Sequence, residues 1–172
     1  RFVKLISFFS LFLMKKILLV FLLLLLMGCQ KEKIEDDVSL EKNNYYGYLI
    51  IPSLNITYGF YDIHNEFNNV DKNVTLINSN IENTYVLAAH SGSGNLAYFN
   101  DLKYLKKYDE LYLKFKDKIL KYEIVNIKSE KKNGKIKIKN KENQLILTTC
   151  DQIKKGNQLI IEANLKIDNN FK

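Results

Sequence analysis

The chain has 172 residues, 47% of them hydrophobic, and a formal net charge of +7. This length and hydrophobic content suit one domain of ordinary size with its own core. Residues 1–28 carry four basic and no acidic residues, so the remainder is nearly balanced at 22 basic against 19 acidic. Because these bases form no continuous stripe, we expect no nucleic-acid partner. Only two cysteines occur, Cys29 and Cys150, in very different surroundings, which argues against a disulfide framework.

The N-terminus has the pattern of a secretory signal peptide over residues 1–28. Met14-Lys15-Lys16 is followed by an uncharged run at residues 17–27 and then by Gly28-Cys29. At about 1.5 Å per helical residue this run reaches about 16 Å, well short of a hydrocarbon core about 30 Å thick. The string Leu26-Met27-Gly28-Cys29 resembles a bacterial lipobox, which implies that Cys29 is lipidated and becomes the mature N-terminus.

A lipid at Cys29 would hold the protein on the outer face of the cytoplasmic membrane. The alternative is an uncleaved N-terminal signal anchor, to which the apolar stretch 5–13 contributes. Met14, which two lysines follow, is a second candidate for the start of the natural chain. We expect residues 1–13 before it not to be native and to play no part in the fold. Residues 29–44 are mostly charged and polar with no periodic apolar face, which predicts a tether.

From Tyr45 onward the sequence changes to short apolar runs typical of β-strands. Several runs alternate, as where Leu111, Leu113 and Phe115 are separated by Tyr112 and Lys114, which is the pattern of half-buried antiparallel strands. The predicted strands are 47–51, 56–61, 74–77, 85–89, 110–115, 119–127, 135–139, 144–149 and 158–163.

One helix and one hairpin turn are predicted within this series of strands. Leu96, Phe99 and Leu102 follow one another at spacings of three, which predicts a helix over 95–105. Asn133-Gly134 is a common hairpin turn sequence. Many short strands with one helix among them favour a mainly β fold, a barrel or a sandwich, over a doubly wound α/β fold.

Two residues with reactive side chains follow apolar strands directly. His90 comes after strand 85–89 and Cys150 after strand 144–149. A cysteine thiolate is the strongest common side-chain nucleophile, and a histidine from elsewhere in the fold usually manages its proton. This pairing predicts cysteine-based acyl transfer, although a lone cysteine that ends an apolar strand is most often a small buried hydrophobe.

Other polar residues have simpler interpretations. His64 lies in no comparable motif, and we expect it on the surface or in a loop. Asp151 is expected to shape the turn after Cys150. No metal-ligand cluster occurs, the spacing of acidic residues does not indicate a calcium site, and we expect no cofactor.

The chain resembles the sortase family in three short strings, in their order and in their spacing. They are Gly47-Tyr48-Leu49-Ile50-Ile51-Pro52, Leu87-Ala88-Ala89-His90-Ser91-Gly92 and Leu147-Thr148-Thr149-Cys150. Sortases are membrane-tethered transpeptidases of Gram-positive bacteria and their relatives. The resemblance implies an eight-stranded β-barrel with one or two short helices over residues 45–166, followed by a tail at 167–172.

The same resemblance implies a function. Cys150 would attack a backbone carbonyl of a sorting-signal peptide in a surface protein and form a thioacyl enzyme. An amine, from a cell-wall precursor or a pilin lysine, would then release the product. His90 would protonate the leaving amine and deprotonate the incoming one.

The chain departs from the family pattern at one position. Sortases usually carry an arginine on the strand after the cysteine, but this chain has no arginine beyond Arg1 and has Gln158 in that place. An amide can donate a hydrogen bond to an oxyanion but offers no charge. Losing such a donor costs about 3 kcal/mol, or about a hundredfold in rate. Lys154 or Lys155, in the loop before Gln158, is a candidate source of charge.

Two functions of different classes therefore remain open, with a thiol hydrolase, in which water replaces the amine, as a minor third. The first is an extracytoplasmic cysteine transpeptidase. The second is a catalytically impaired sortase-like lipoprotein that serves as a peptide-binding or assembly module. The transpeptidase is favoured because both His90 and Cys150 stand in their motifs.

Overall fold

The structure is a computed structural model that describes residues 44–77, 79, 81, 83–136, 138 and 142–166. The predicted signal peptide, the lipidation residue Cys29, almost all of the tether and the tail at 167–172 lie outside the described residues. No helix within the described ranges is both long and apolar enough to cross a membrane.

Eight strands form one sheet: β1 (Gly47–Ile51), β2 (Ile56–Phe60), β3 (Thr75–Ile77), β4 (Tyr85–Ala88), β5 (Glu110–Lys114), β6 (Ile119–Lys131), β7 (Gln144–Cys150) and β8 (Asn157–Leu165). Their order in the sheet is β2-β1-β5-β6-β8-β7-β4-β3. An isolated bridge between Phe60, the last residue of β2, and Val74, just before β3, joins the two outer strands. The sheet therefore curls into a nearly closed barrel, which confirms the predicted eight-stranded, mainly β architecture.

Alternating apolar side chains fill the barrel. On β5 the predicted alternation is confirmed, since Leu111 and Leu113 are fully buried whereas Tyr112 between them is only partly buried. Strand β7 is buried at six of its seven residues because it is covered on both faces: Leu145 and Leu147 belong to the main core, and Ile146 belongs to a second, smaller cluster. Strand β7 is thus packed on both faces up to the residue at its end.

The predicted strand at 135–139 is wrong for the residues of that range that the structure describes. Lys135, Ile136 and Ile138 belong to no strand, so the turn at Asn133-Gly134 is not flanked by a described strand on its C-terminal side. The apolar alternation has another cause, since both isoleucines pack against the small cluster of Val86, Ile146 and Ile160.

The predicted helix over 95–105 is also largely wrong. Within that range the structure has only a short 3₁₀ helix, at Asn100–Tyr104. Another 3₁₀ helix lies after β1, at Pro52–Leu54. Phe99, Leu102 and Leu105 are buried while Leu96 is 45% exposed. A spacing of three residues matches the three residues per turn of a 3₁₀ helix and drifts off the face of an α-helix.

Candidate active site

Three adjacent strands bring the predicted site residues side by side. Strand β4 runs parallel to β7 with Ala88 opposite Thr148, so His90, two residues further on, reaches the level of Cys150. Strand β8 runs antiparallel on the other side of β7 and places Gln158 directly opposite Cys150. His90 and Gln158 therefore flank Cys150 from neighbouring strands.

Hydrogen bonds between strand ends fix the position of His90. The Thr149 hydroxyl, which is buried, donates to the carbonyl of Ala89 at 2.8 Å. The Ser91 hydroxyl donates to the carbonyl of Cys150 at 2.6 Å. These two bonds lie on either side of His90 in the sequence and tie its backbone to the end of β7.

All three predicted residues line one cleft of about 200 Å³. Cys150 carries a free thiol and is half-buried, so its sulfur is open to a substrate while its backbone belongs to a strand. The described residues that line the cleft include no carboxylate; they are Val70, Ala88, Ala89, His90, Lys132, Thr148, Thr149, Cys150 and Gln158.

The imidazole of His90 contacts a carboxylate that the sequence analysis did not single out. His90 Nε2 lies 2.8 Å from Asp71 Oδ1, and because a carboxylate only accepts, Nε2 carries the proton in this contact. Nδ1 is then the ring nitrogen left to exchange a proton with the thiol or with an amine. Both side chains are well exposed, at 46% and 77%, so the pair adds about 1 kcal/mol or less.

Gln158 is buried beside Cys150 but its amide is partly occupied. Its Nε2 donates to the carbonyl of Lys135 at 3.1 Å, which uses one of two amide hydrogens. The second hydrogen remains for a substrate oxygen. Gln158 therefore offers a single neutral donor at this position.

A cation does reach the sulfur, and it comes from a place that the sequence analysis did not consider. Lys132 Nζ donates to Cys150 Sγ at 3.5 Å. Lys132 follows the last residue of β6, and its backbone N–H donates to the carbonyl of Gly156 at 2.9 Å. No local motif marks Lys132 or Asp71, because each meets its partner only in the folded chain.

A second cleft of about 240 Å³ borders Cys150 and includes the β7–β8 loop. Asp151 holds this loop, as predicted: it accepts from the Ser129 hydroxyl at 2.5 Å and from the backbone N–H groups of Ile153 at 2.8 Å and Lys154 at 3.0 Å. The pKa of Asp151 is lowered, first by the Ser129 hydrogen bond. Lys154 lines this second cleft, whereas the lysine in contact with Sγ is Lys132.

His64 is exposed, as expected for a loop residue, and its backbone N–H donates to the side chain of Asp62 at 3.0 Å. Among the residues that the structure describes, no three His, Cys, Asp or Glu side chains lie close enough together to hold a metal ion.

The fold and the site together define a β-barrel protein with a cysteine and a histidine at the ends of adjacent parallel strands. The chain belongs to the sortase family: the family model described as Sortase domain matches residues 49–166. None of the curated protein sequences matches the chain significantly.

Solved sortase structures share the fold at low sequence identity. Sortase C2 of the Group B Streptococcus pilus island 1 superposes with a TM-score of 0.61 at 23% identity, covering 74% of this chain and 77% of that one. Streptococcus pneumoniae sortase C gives 0.61 at 23% identity, with 74% and 72% covered. Sortase A from Corynebacterium diphtheriae, as a lid mutant, gives 0.61 at 20% identity, with 74% and 73% covered.

Proposed function

We propose that this protein is an extracytoplasmic cysteine transpeptidase that cleaves a sorting-signal peptide and transfers the acyl part to an amine. The observation that carries the proposal is the placement of His90 and Cys150 at the ends of adjacent strands, lining one open cleft. Membership of the sortase family supports the same reaction.

In the first half-reaction the Cys150 thiolate attacks the scissile carbonyl carbon, and the carbonyl oxygen takes up the negative charge. The C–N bond then breaks, His90 gives its proton to the leaving amine, and a thioester remains on Cys150. In the second half-reaction an amine nitrogen attacks the thioester, His90 takes the amine proton, and the C–S bond breaks to restore the thiolate.

The structure suits this sequence of steps because the nucleophile and the proton carrier are held in place on two adjacent, connected strands. Cys150 belongs to the buried strand β7, and the His90 backbone is tied to it by the Ser91 and Thr149 hydroxyls. Fixed geometry of this kind lowers the entropic cost of bringing reacting groups together. The Gln158 amide contributes a neutral donor for the oxyanion.

The test is formation of a thioacyl adduct. The full-length chain in detergent is incubated with a set of sorting-signal peptides, with and without an amine such as a cell-wall peptide or a lysine-containing pilin peptide. We expect a mass increase on the peptide that contains Cys150, which disappears when amine is added and is absent in Cys150→Ala. A chain that forms no adduct with any sorting motif would refute the transpeptidase.

A second candidate function follows from Gln158. Because this residue is neutral and bonded to the Lys135 carbonyl, the protein could bind a sorting peptide without cleaving it, as a peptide-binding or assembly module. Peptide binding to the wild type without an adduct, together with an adduct in Gln158→Arg, would favour this module. An adduct in the wild type at a rate that Gln158→Arg changes would favour the enzyme, with Gln158 near the oxyanion.

We also propose that the protein is anchored through lipid at Cys29 on the outer face of the cytoplasmic membrane. The lipobox-like string before Cys29 supports this anchor. Mass spectrometry of the native N-terminus tests it, with a diacylated Cys29 as the expected result. An unmodified Cys29 inside an uncleaved leader would instead establish a signal anchor.

A further inference from the structure

The site of this protein lacks the arginine that sortases usually carry on the strand after the cysteine. The chain has no arginine after Arg1, and the amide at the corresponding position is neutral and partly occupied by the Lys135 carbonyl. An acyl-transfer site still has to stabilise negative charge, first on sulfur and then on the oxyanion. A different residue must therefore supply the positive charge if the site is catalytic.

We propose that Lys132 is a catalytic residue, whose ammonium stabilises the negative charge on the Cys150 sulfur and then on the oxyanion formed beside it. The role at the oxyanion rests on the proposed function. The role at the sulfur does not, because it concerns the Cys150 thiol alone.

The contact that carries this inference is direct. Lys132 Nζ lies 3.5 Å from Cys150 Sγ, within reach of a sulfur hydrogen bond. An ammonium at this distance attracts the negative charge that the sulfur carries when it acts as a nucleophile. Lys132 also lines the cleft that His90, Cys150 and Gln158 share.

No carboxylate of the residues that the structure describes neutralises the ammonium of Lys132. Among the described residues Lys132 forms no salt bridge, whereas Lys128, nearby on β6, is paired with Glu130 at 2.9 Å and Glu162 at 2.7 Å. The carboxylate of Asp71 is in contact with His90, and that of Asp151 accepts hydrogen bonds from Ser129, Ile153 and Lys154. The charge of Lys132 is thus directed to the sulfur.

The backbone of Lys132 is held firmly enough to present the side chain. Strand β6 pairs with β8 as far as Lys131 opposite Asn157, and the Lys132 N–H then donates to Gly156 at 2.9 Å. Since Gln158 on the same β8 strand lies opposite Cys150, the β6–β8 pairing brings Lys132 beside the sulfur.

The side chain itself has four rotatable bonds, and this freedom suits the reaction. During attack the negative charge moves from sulfur to the carbonyl oxygen, a few ångströms away. A flexible ammonium can follow this displacement, although it lacks the bidentate geometry of a guanidinium.

The test compares two lysines that are neighbours in sequence. Full-length chains that carry Cys29→Ser, so that Cys150 is the only thiol, are made with Lys132→Met, Lys132→Arg or Lys131→Met. Methionine keeps an unbranched side chain of nearly the same length and removes the charged nitrogen. Lys131 is also exposed and ends β6, so Lys131→Met is a matched control for a lost surface charge.

The first measurement is the rate at which iodoacetamide, a neutral reagent, alkylates Cys150 at pH 7. We expect this rate to fall about tenfold in Lys132→Met, to fall less in Lys132→Arg, which keeps the charge, and to stay near the wild-type value in Lys131→Met. The second is the rate of thioacyl formation with a sorting peptide, which should fall about ten- to a hundredfold in Lys132→Met and should not fall in Lys131→Met. Unfolding midpoints should be equal in all four chains because both lysines are exposed.

The outcomes separate the two proposals. Alkylation and acylation at wild-type rates in Lys132→Met would overturn the role of Lys132 and leave the transpeptidase standing. An alkylation rate that depends on Lys132, in a wild type that forms no thioacyl adduct, would overturn the transpeptidase and the oxyanion half of the inference, and would support the charge at the sulfur.

Discussion

Asp151 follows the nucleophile directly and organises the loop that borders it. Its carboxylate accepts hydrogen bonds from Ser129, Ile153 and Lys154. These bonds favour the charged form and lower the pKa of Asp151, with the Ser129 hydroxyl as the largest cause. The loop geometry therefore depends on an ionised carboxylate.

We expect Asp151→Asn to lower the free energy of unfolding by about 1 kcal/mol at pH 7, because an amide accepts these bonds less well. A lowered pKa means that this stabilisation is present above the ordinary aspartate value of about 3.9 and is lost as pH falls through the folded-state value. Urea unfolding of both proteins at pH 7 and pH 3 measures the effect, which should shrink at pH 3. Asp117→Asn, at an exposed aspartate in the β5–β6 turn, is the control, and a difference that does not change with pH would contradict the argument.

His90 and Cys150 were predictable one residue at a time because each ends an apolar strand within a recognisable string. Asp71 and Lys132 were not, because their neighbours in sequence say nothing about which side chain they will meet. Asp71 meets His90 across 19 residues and Lys132 meets Cys150 across 18. Electrostatic partners of this kind are set by strand pairing.

At the scale of elements, the parallel pair β4–β7 is what aligns the two reactive residues. Parallel strands present their C-terminal ends at the same edge, and the register of Ala88 opposite Thr148 brings the following residues level with each other. The Thr149 hydroxyl continues the pairing with its 2.8 Å bond to Ala89. A side chain thus extends the strand pairing toward the site.

We expect Thr149→Val to destabilise the fold by about 1 kcal/mol, since it removes a buried hydrogen bond at nearly constant volume. Thioacyl formation should also slow, because Ala89 precedes His90 and its position is less fixed. Urea unfolding and the adduct assay measure the two effects. Thr149→Ser retains the hydroxyl and should restore both, and a Thr149→Val protein as stable and as active as the wild type would show that the bond contributes nothing.

Periodicity predicted most of the elements, and its failures have physical causes. All eight strands coincide with predicted runs, although β6 and β8 extend further because they pair with each other up to Lys131 and Asn157. The alternation at Ile136 and Ile138 arises from packing onto the barrel exterior rather than from a strand. In each case tertiary contacts decided between structures that share one apolar pattern.

At the scale of the whole molecule, the barrel interior is almost entirely apolar, with Tyr122 as an exception. Its side chain is fully buried, and its hydroxyl has no hydrogen-bond partner among the residues that the structure describes. Burial raises the pKa of Tyr122 well above its ordinary value. Burial therefore removes the hydroxyl from water, and no described residue replaces that hydrogen bond.

We expect Tyr122→Phe to raise the free energy of unfolding by about 1 kcal/mol, because an unsatisfied buried hydroxyl is costly. Tyr112→Phe is the matched control: its hydroxyl donates to Glu110 at 2.8 Å, so its removal should leave stability unchanged or lower it. Urea unfolding at pH 7 measures the free energy of unfolding of both variants. A loss of stability in Tyr122→Phe would mean that the hydroxyl is satisfied in solution.

The sequence by itself determined the family, the mainly β fold and the two reactive residues, because apolar alternation and short motifs are local properties that survive without a structure. Only the tertiary structure decided what surrounds Cys150. It placed His90 and Gln158 on either side, gave His90 its carboxylate, and directed the ammonium of Lys132 to the sulfur. These contacts follow from the order and register of strands far apart in the chain, which the local pattern of residues does not encode.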